Sequence, residues 1–273
     1  MRIADRSVED WAAVDPARTQ GLVRWITRRP GRWLFRYRSY GSERVPSSGG
    51  FLIAPNHGSY FDGFFFMHGF SRTIRFMAKY QALEWPVIGR CIRWGGGFPV
   101  RRGDHGQPAL EMARRILERG HGLVLFMEGH LVRHPGLGEP RNGLPRLAVE
   151  TGVLVVPVAA WGAKPAGVYG RRRLPWRRPR TTVVWGEPMR FQQRADPSPE
   201  LVAAVRDEIW AEVARLHELA RTAHERSGGR PAALEVPPRV CGTHELRTET
   251  AAGHPGERPG ERPGEAAGTG GRV

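Results

Sequence analysis

Five short apolar runs, separated by segments of helical periodicity, are the feature that most constrains how this chain can fold. Runs of this length bounded by Gly and Pro are typical of buried strands, here at 51–54, 73–78, 123–127, 153–158 and 181–185. Helical periodicity covers 108–119 and 141–150, and a further helix begins at Ser198, with Pro199 and Glu200 in its first turn. This alternation predicts an α/β class, a single layered domain with a mostly central β-sheet flanked by helices.

Composition divides the chain into three segments. Residues 1–45 interleave large apolar side chains with arginines and predict short amphipathic helices, broken at Pro30-Gly31. These helices either lie in a bilayer interface or pack on the domain. The alternating pattern occupies 46–224. Residues 225–273 are rich in Gly, Pro and charge, and such a composition predicts a disordered tail.

The formal net charge of +15 lies in the first two segments, because 225–273 contain seven residues of each sign. A basic body suits an anionic bilayer, a phosphorylated small molecule or nucleic acid, although arginine richness also follows from codon bias in a GC-rich genome. A basic stretch at 171–180 could contact lipid headgroups. No recognised nucleic-acid-binding motif is present, so we expect no nucleic-acid partner.

The sequence contains no run of about 18–20 apolar residues and no signal peptide, so we expect a cytoplasmic protein with peripheral membrane contact. Its two cysteines, Cys91 and Cys241, have no metal-binding spacing, and no HExxH motif occurs. We therefore expect no metal site.

A histidine and an aspartate five residues apart follow the first strand. On a regular helix this separation turns the chain by roughly 500°, leaving the side chains about 140° apart. His57 and Asp62 can meet if the histidine lies in the strand-to-helix turn and the aspartate in the first helical turn. Asp62 would then accept from one imidazole nitrogen and leave the other as a general base. The same spacing also fits a histidine with a purely structural role.

Two further runs contain groups suited to binding. Three glycines beginning at Gly95 lead through Phe98 to Arg101, and their amides and the guanidinium suit an anion. Glu128 and Gly129 follow an apolar strand, and α/β proteins bind ligands at the carboxyl ends of such strands. Each run by itself also fits a structural loop.

In their order along the chain, these runs and a Val-Pro strand resemble the lysophosphatidic-acid acyltransferase family (1-acyl-sn-glycerol-3-phosphate acyltransferases and related glycerolipid acyltransferases). The resemblance covers about residues 40–190, and the order of four blocks makes it specific. The blocks are Asn56-His57 to Asp62, Gly95 through Phe98 to Arg101, Phe126 to Gly129, and Val155-Val156-Pro157-Val158.

The resemblance implies an O-acyltransferase of phospholipid biosynthesis that makes phosphatidic acid or a related lipid. It would move a fatty acyl group from acyl-CoA or acyl carrier protein to a hydroxyl of lysophosphatidic acid or a related lysolipid, without a cofactor. His57 would be the base and Asp62 its orienting partner, with no covalent intermediate. The implied substrate-binding residues are Asn56, Gly95, Phe98, Arg101, Glu128 and Gly129.

Within this scheme Arg101 would contact the acceptor phosphate, and Glu128 and Gly129 would form the other wall of the acceptor site. Backbone donors near Gly58 would stabilise the oxyanion. The implied partners are a lysophospholipid acceptor, an acyl thioester donor and an anionic membrane surface at the inner face of the plasma membrane.

The third block departs from the family pattern. The family continues Glu-Gly with Thr-Arg and assigns that arginine to the acceptor phosphate, whereas this chain has His130 and Leu131, and Met127 replaces a proline. Either Arg133 supplies the charge, or the acceptor is an amino-lipid or glycolipid. A basic nucleic-acid-binding protein and an inactive lipid-binding relative are the alternatives from other classes.

Overall fold

A central sheet of seven strands organises the residues that the computed structural model describes, which are 10–11, 14–100, 107–134, 136–162, 180–226 and 236–237. The strands are β1 (Arg38–Tyr40), β2 (Phe51–Pro55), β3 (Ile74–Lys79), β4 (Gly97–Val100), β5 (Gly122–Val124), β6 (Leu154–Trp161) and β7 (Thr182–Trp185). The helices are α1 (Ala17–Phe35), α2 (Asp62–His68), α3 (Tyr80–Glu84), α4 (Ile88–Trp94), α5 (Gln107–Glu118), α6 (Gly143–Thr151) and α7 (Pro199–Arg226).

The sheet order is β1-β7-β6-β2-β5-β3-β4. Strands β2 to β6 run parallel to one another, whereas β7 pairs antiparallel with β6 and parallel with β1. Because parallel strands end on the same side, β2 to β6 share one edge, here called the carboxyl edge. The opposite side, where these strands begin, is called the amino edge. The predicted α/β class with a central sheet is confirmed.

Strand β2 shows why helices cover both faces of the sheet. All five of its residues are buried, and successive side chains point to opposite faces. Leu52 packs in a cluster with Ile116 of α5 and with residues of α6 and α7. Ile53 packs in a second cluster with Phe65 of α2 and Phe35 at the end of α1. The apolar run at 51–54 is therefore continuous because both faces of β2 are covered.

The predicted strands and helices are present, with small shifts at their ends. Helix α7 begins as its sequence predicts, with the backbone N–H of Leu201 donating to Oγ of Ser198 at 3.3 Å. The sequence pattern did not indicate β1 or β4. Strand β4 lies in the glycine-rich run that we expected to form an anion-binding loop. Because Gly and Pro are depleted in strands, the composition of this run did not indicate a strand.

The predicted helix break at Pro30-Gly31 is wrong, because α1 continues through Pro30 to Phe35. Tertiary contacts hold this helix. A Cβ placed on Gly31 would lie 2.2 Å from Cζ of Phe64, so any larger residue there would have to displace the Phe64 ring of α2. Buried Gln20 donates through Nε2 to the carbonyl of Ile74 at 2.8 Å. Helix α1 is thus integral to the α/β domain.

The ends of the chain remain partly outside the described residues. Helix α7 runs to Arg226, beyond the predicted boundary at 224, and the disorder predicted for 225–273 concerns residues that mostly lie outside the description. Most of the basic stretch at 171–180 also lies outside the described residues. In the described part of the chain, no helix is both long and apolar enough to cross a bilayer.

Candidate active site

His57 and Asp62 face each other across the turn that joins β2 to α2. His57 follows β2 by two residues, and Asp62 is the first residue of α2. Nδ1 of His57 lies 3.1 Å from Oδ2 of Asp62. The Asp62 side chain is 1% exposed and that of His57 is 20% exposed, so a buried carboxylate supports an imidazole that reaches the surface. This placement matches the geometry predicted from the five-residue spacing.

The backbone of the turn is also organised around Asp62. The N–H groups of Gly58 and Ser59 each donate to Oδ2 of Asp62 at 2.8 Å. Because this oxygen accepts both of these bonds, we assign the proton of the His57–Asp62 bond to Nδ1 of His57, which leaves a lone pair on Nε2. The N–H groups of Gly58 and Ser59 bind Asp62 and so do not face an oxyanion, while a contact from other N–H groups near Gly58 stays a prediction.

Glu128 holds the main chain of His57 from the segment that follows β5. Its side chain is fully buried, and Oε2 accepts from the N–H of His57 at 2.8 Å, while Oε1 accepts from Gly138 at 3.3 Å. Burial raises the pKa of Glu128, although the N–H donors of Gly138 and His57 oppose that shift. The sequence predicted a wall of the acceptor site, whereas in the structure this carboxylate positions the His57 backbone.

Two further contacts fix the ring and main chain of His57. The imidazole stacks on the ring of Phe126, with 3.8 Å between the ring centroids. The carbonyl of His57 accepts from the N–H of Val132 at 2.9 Å. Residues 126–132 therefore clamp His57 in place. This contact gives a physical reason why the sequence block with Glu128 occurs together with the block that contains the histidine.

Asn56, which immediately precedes His57, links β2 to β6. Its Nδ2 donates to the carbonyl of Ala160 at 3.2 Å, and its Oδ1 accepts from the N–H of Ala160 at 2.8 Å. Only 3% of the residue is exposed. These bonds anchor the turn that carries His57, and a contact between Asn56 and substrate stays a prediction.

The structure does not bring Gly95 and Phe98 to the His57–Asp62 pair. Gly95 lies at the amino edge, where its N–H donates to Cys91 and its carbonyl accepts from Nε2 of Gln20. Phe98 is fully buried in the apolar cluster under α5. Arg101 lies outside the described residues, so its contact with an acceptor phosphate stays a prediction.

Gly129 ends the turn that follows β5. Its φ of +68° is a left-handed conformation that favours glycine, and its N–H donates to Phe126 at 3.0 Å. Arg141 lies against this turn, because a Cβ placed on Gly129 would be 2.9 Å from Cδ of Arg141. The contact joins positions twelve residues apart, and the helical periodicity of 141–150 does not indicate that Arg141 lies beside this turn.

This arrangement is suited to general-base chemistry. With Nδ1–H donating to Asp62, Nε2 of His57 can take a proton, and the buried carboxylate can stabilise the resulting imidazolium. Within the described ranges, no group of three or more His, Cys, Asp or Glu side chains is placed to hold a metal ion.

Comparison with known proteins gives several matches. The model of a family described as Acyltransferase matches residues 36–161, which include β1 to β6, His57, Asp62 and Glu128. The chain is 28% identical over 125 residues to the chloroplastic 1-acyl-sn-glycerol-3-phosphate acyltransferase LPAT1 of Arabidopsis thaliana, an alignment that covers 45% of this chain and 35% of that protein.

Two bacterial proteins are similar over longer stretches. A lyso-ornithine lipid O-acyltransferase of Pseudomonas aeruginosa is 29% identical over 150 residues, or 54% of this chain and 56% of the relative. An uncharacterised protein of Mycobacterium leprae is 26% identical over 179 residues, or 59% and 45%. The chain thus spans less than two thirds of the length of each of these curated relatives.

A solved structure shows the same fold. The 1-acyl-sn-glycerophosphate acyltransferase PlsC from Thermotoga maritima matches with a TM-score of 0.57 and 26% identity, over 72% of this chain and 79% of that chain. The family model, the named relatives and this structure agree with the four sequence blocks. The α/β domain of this chain is therefore similar to glycerolipid acyltransferases in both sequence and fold.

Proposed function

We propose that this protein transfers a fatty acyl group from an acyl thioester to the hydroxyl of a lysolipid. The observation that carries the proposal is the hydrogen-bonded His57–Asp62 pair at the carboxyl edge of a domain similar to these acyltransferases. Two of the named relatives are a 1-acylglycerol-phosphate acyltransferase and a lyso-ornithine lipid acyltransferase, which supports a lysolipid acceptor. Acyl-CoA and acyl carrier protein are the candidate donors.

In the proposed mechanism, Nε2 of His57 takes the proton of the acceptor hydroxyl as its oxygen attacks the thioester carbonyl carbon. The tetrahedral intermediate then collapses, the C–S bond breaks, and the imidazolium returns its proton to the departing thiolate. Asp62 stabilises the imidazolium through the bond to Nδ1. The N–H groups of Gly58 and Ser59 hold Asp62 in place, rather than contacting the oxyanion.

An assay with purified protein tests this function. Labelled acyl-CoA or acyl carrier protein is supplied with lysophosphatidic acid, lyso-ornithine lipid or a lysoglycolipid. We expect an acylated lipid and an equal amount of free thiol with at least one acceptor. The matched control is an acceptor analogue without the free hydroxyl, which should give no product. Failure of every acceptor with both donors would contradict the proposal.

We also propose that α1 binds an anionic membrane surface. The helix exposes Leu22, Trp25, Ile26 and Trp33 to solvent, and Trp25 is 79% exposed. These positions follow one another at spacings that place them on one side of a helix. Large apolar side chains together with arginines on one helix suit the interface of an anionic bilayer.

The C-terminal end of α1 lies next to the active-site turn. The ring of Phe35, the last residue of α1, lies 5.0 Å from that of Phe61, which precedes Asp62. Phe61 and its neighbour Tyr60 are themselves exposed. A bilayer in contact with α1 would therefore lie close to the His57 turn, where a lysolipid has to enter.

Replacing Trp25 and Trp33 together with serine is expected to weaken binding to vesicles containing anionic phospholipid by about 10-fold or more, because both indoles lose their place in the interface. Vesicle co-sedimentation at two salt concentrations measures the effect. The matched control is activity with a short-chain, monomeric lysolipid, which should stay close to that of the unmodified protein. Equal vesicle binding by the variant and the unmodified protein would rule out α1 as the membrane contact.

A further inference from the structure

Arg141 is held against the turn that carries Glu128 and Gly129, next to the active site. Its N–H donates to the carbonyl of Met127 at 2.7 Å, which fixes its main chain beside the turn. A Cβ on Gly129 would lie 3.1 Å from Nε of Arg141, so the side chain lies directly over this glycine. Glu128, the preceding residue, holds the backbone of His57. Arg141 thus contacts the same short segment that clamps the histidine.

The guanidinium of Arg141 is available to a ligand. Arg141 is exposed, and its side chain makes no hydrogen bond or ion pair with the residues that the structure describes. The nearby carboxylate of Glu128 forms no ion pair with Arg141 in the described part of the chain, and its two oxygens accept the N–H groups of His57 and Gly138. By contrast, Arg114 and Arg146 are both bound to Glu150.

The other positions near this turn are less suited to binding an anion. Leu131 offers no charge, although the resemblance places an arginine there. Arg133 already takes part in an interaction within the chain. His130 directs Nδ1 to the carbonyl of Glu128 at 2.8 Å, so that part of its ring is engaged. Near this turn, Arg141 is therefore the exposed cation that has a side chain not bound to a described residue.

We propose that Arg141 binds the phosphate of a phosphate-bearing lysolipid acceptor, in place of an arginine at position 131. The proposal rests on the proposed acyl transfer and names its acceptor class. A guanidinium can donate two parallel hydrogen bonds to a phosphate, and the guanidinium of Arg141 lies beside Gly129, next to the segment that binds His57. The phosphates of coenzyme A have the same chemistry, so the test separates the acceptor from the donor.

The kinetic test compares lysophosphatidic acid with 1-monoacylglycerol, which lacks the phosphate. Arg141→Ala is expected to raise KM for lysophosphatidic acid roughly 10- to 100-fold, because it removes a charge-assisted hydrogen bond whose usual contribution to binding is of that size. The KM for acyl-CoA should stay unchanged. The preference for lysophosphatidic acid over monoacylglycerol should fall by the same factor. Arg141→Lys should lie between the two proteins, because lysine keeps the charge but loses the fork.

Two arginine variants serve as controls. Arg190→Ala removes an exposed arginine that follows Met189, the bridge partner of Val155 at the amino edge, and should change neither KM. Arg133→Ala tests the other nearby arginine. A larger rise in acceptor KM for Arg133→Ala than for Arg141→Ala would overturn the proposal, and so would a rise confined to the KM of acyl-CoA.

Calorimetric titration with glycerol 3-phosphate separates this inference from the proposed function, because it does not depend on turnover. We expect binding to the unmodified protein that weakens roughly 10- to 100-fold in Arg141→Ala and is unchanged in Arg190→Ala. If acyl transfer fails but this pattern holds, the catalytic proposal falls and Arg141 remains the phosphate ligand. Equal binding by the unmodified protein and Arg141→Ala, or no binding by the unmodified protein, would overturn the inference.

Discussion

Replacing His57 with alanine is expected to lower kcat for acyl transfer by about 10²–10⁴-fold, the usual contribution of a positioned general base. The alanine variant lacks the Nε2 lone pair that takes the proton of the acceptor hydroxyl in the proposed mechanism. The main chain of His57 should keep its place, because Glu128 and Val132 bind its N–H and carbonyl rather than the ring. The acceptor KM should therefore change far less than kcat.

Single-turnover and steady-state assays of the His57→Ala variant measure this loss. The matched control is His121→Ala, which removes a half-buried histidine just before β5 at the amino edge, remote from Asp62. Circular dichroism and denaturant unfolding of both variants show whether each is folded. A folded His57→Ala protein with kcat close to that of the unmodified protein would exclude the general-base mechanism, while the similarity of the domain to acyltransferases would stand.

Replacing Asp62 with asparagine is expected to give a loss of kcat in the same range, about 10²–10⁴-fold, together with a loss of stability. A neutral amide cannot stabilise the imidazolium as a carboxylate does. The asparagine oxygen can still accept from Gly58, Ser59 and His57 at the position of Oδ2. Its NH₂ group then occupies the position of Oδ1, which is buried without a hydrogen-bond partner among the described residues.

A buried donor without an acceptor costs about 1–3 kcal/mol, and we expect the free energy of unfolding of Asp62→Asn to fall by that amount. Urea titration measures it, alongside kcat for the fraction that is folded. Asp207→Asn is the matched control, since this exposed aspartate of α7 pairs with its neighbour Arg206 and its replacement should change stability by less than about 0.5 kcal/mol. Unchanged kcat in folded Asp62→Asn would remove the carboxylate from the mechanism.

The His57–Asp62 pair could be predicted because its geometry is local. Six consecutive residues contain both side chains, and a strand followed by a helix leaves few ways to join them. Apolar periodicity predicted the strand that precedes the pair, and Gly58 and Ser59 indicated a turn between the two side chains. The sequence could not indicate that Gly58 and Ser59 donate to Asp62, because that depends on the conformation of the turn rather than on its composition.

Gly95 and Phe98 show the limit of inference from motifs. Their block follows the histidine block in the expected order, but order along the chain does not say at which end of a strand a residue lies. Because of its glycines, β4 was not predicted from the sequence. In the structure, Gly95 precedes this strand at the amino edge and Phe98 lies in the core. A residue's place in a motif therefore indicated similarity to a family more reliably than it indicated contact with substrate.

The sequence by itself determined the α/β class, most of the strands and helices, and the pairing of His57 with Asp62, since each follows from periodicity or from a few consecutive residues. Only the tertiary structure decided the strand order, the clamp of Glu128 on the main chain of His57, and the contact of Arg141 with Gly129. These contacts join residues far apart in the chain. Their partners are chosen by how strands and turns pack together, which local patterns of hydrophobicity and charge do not specify.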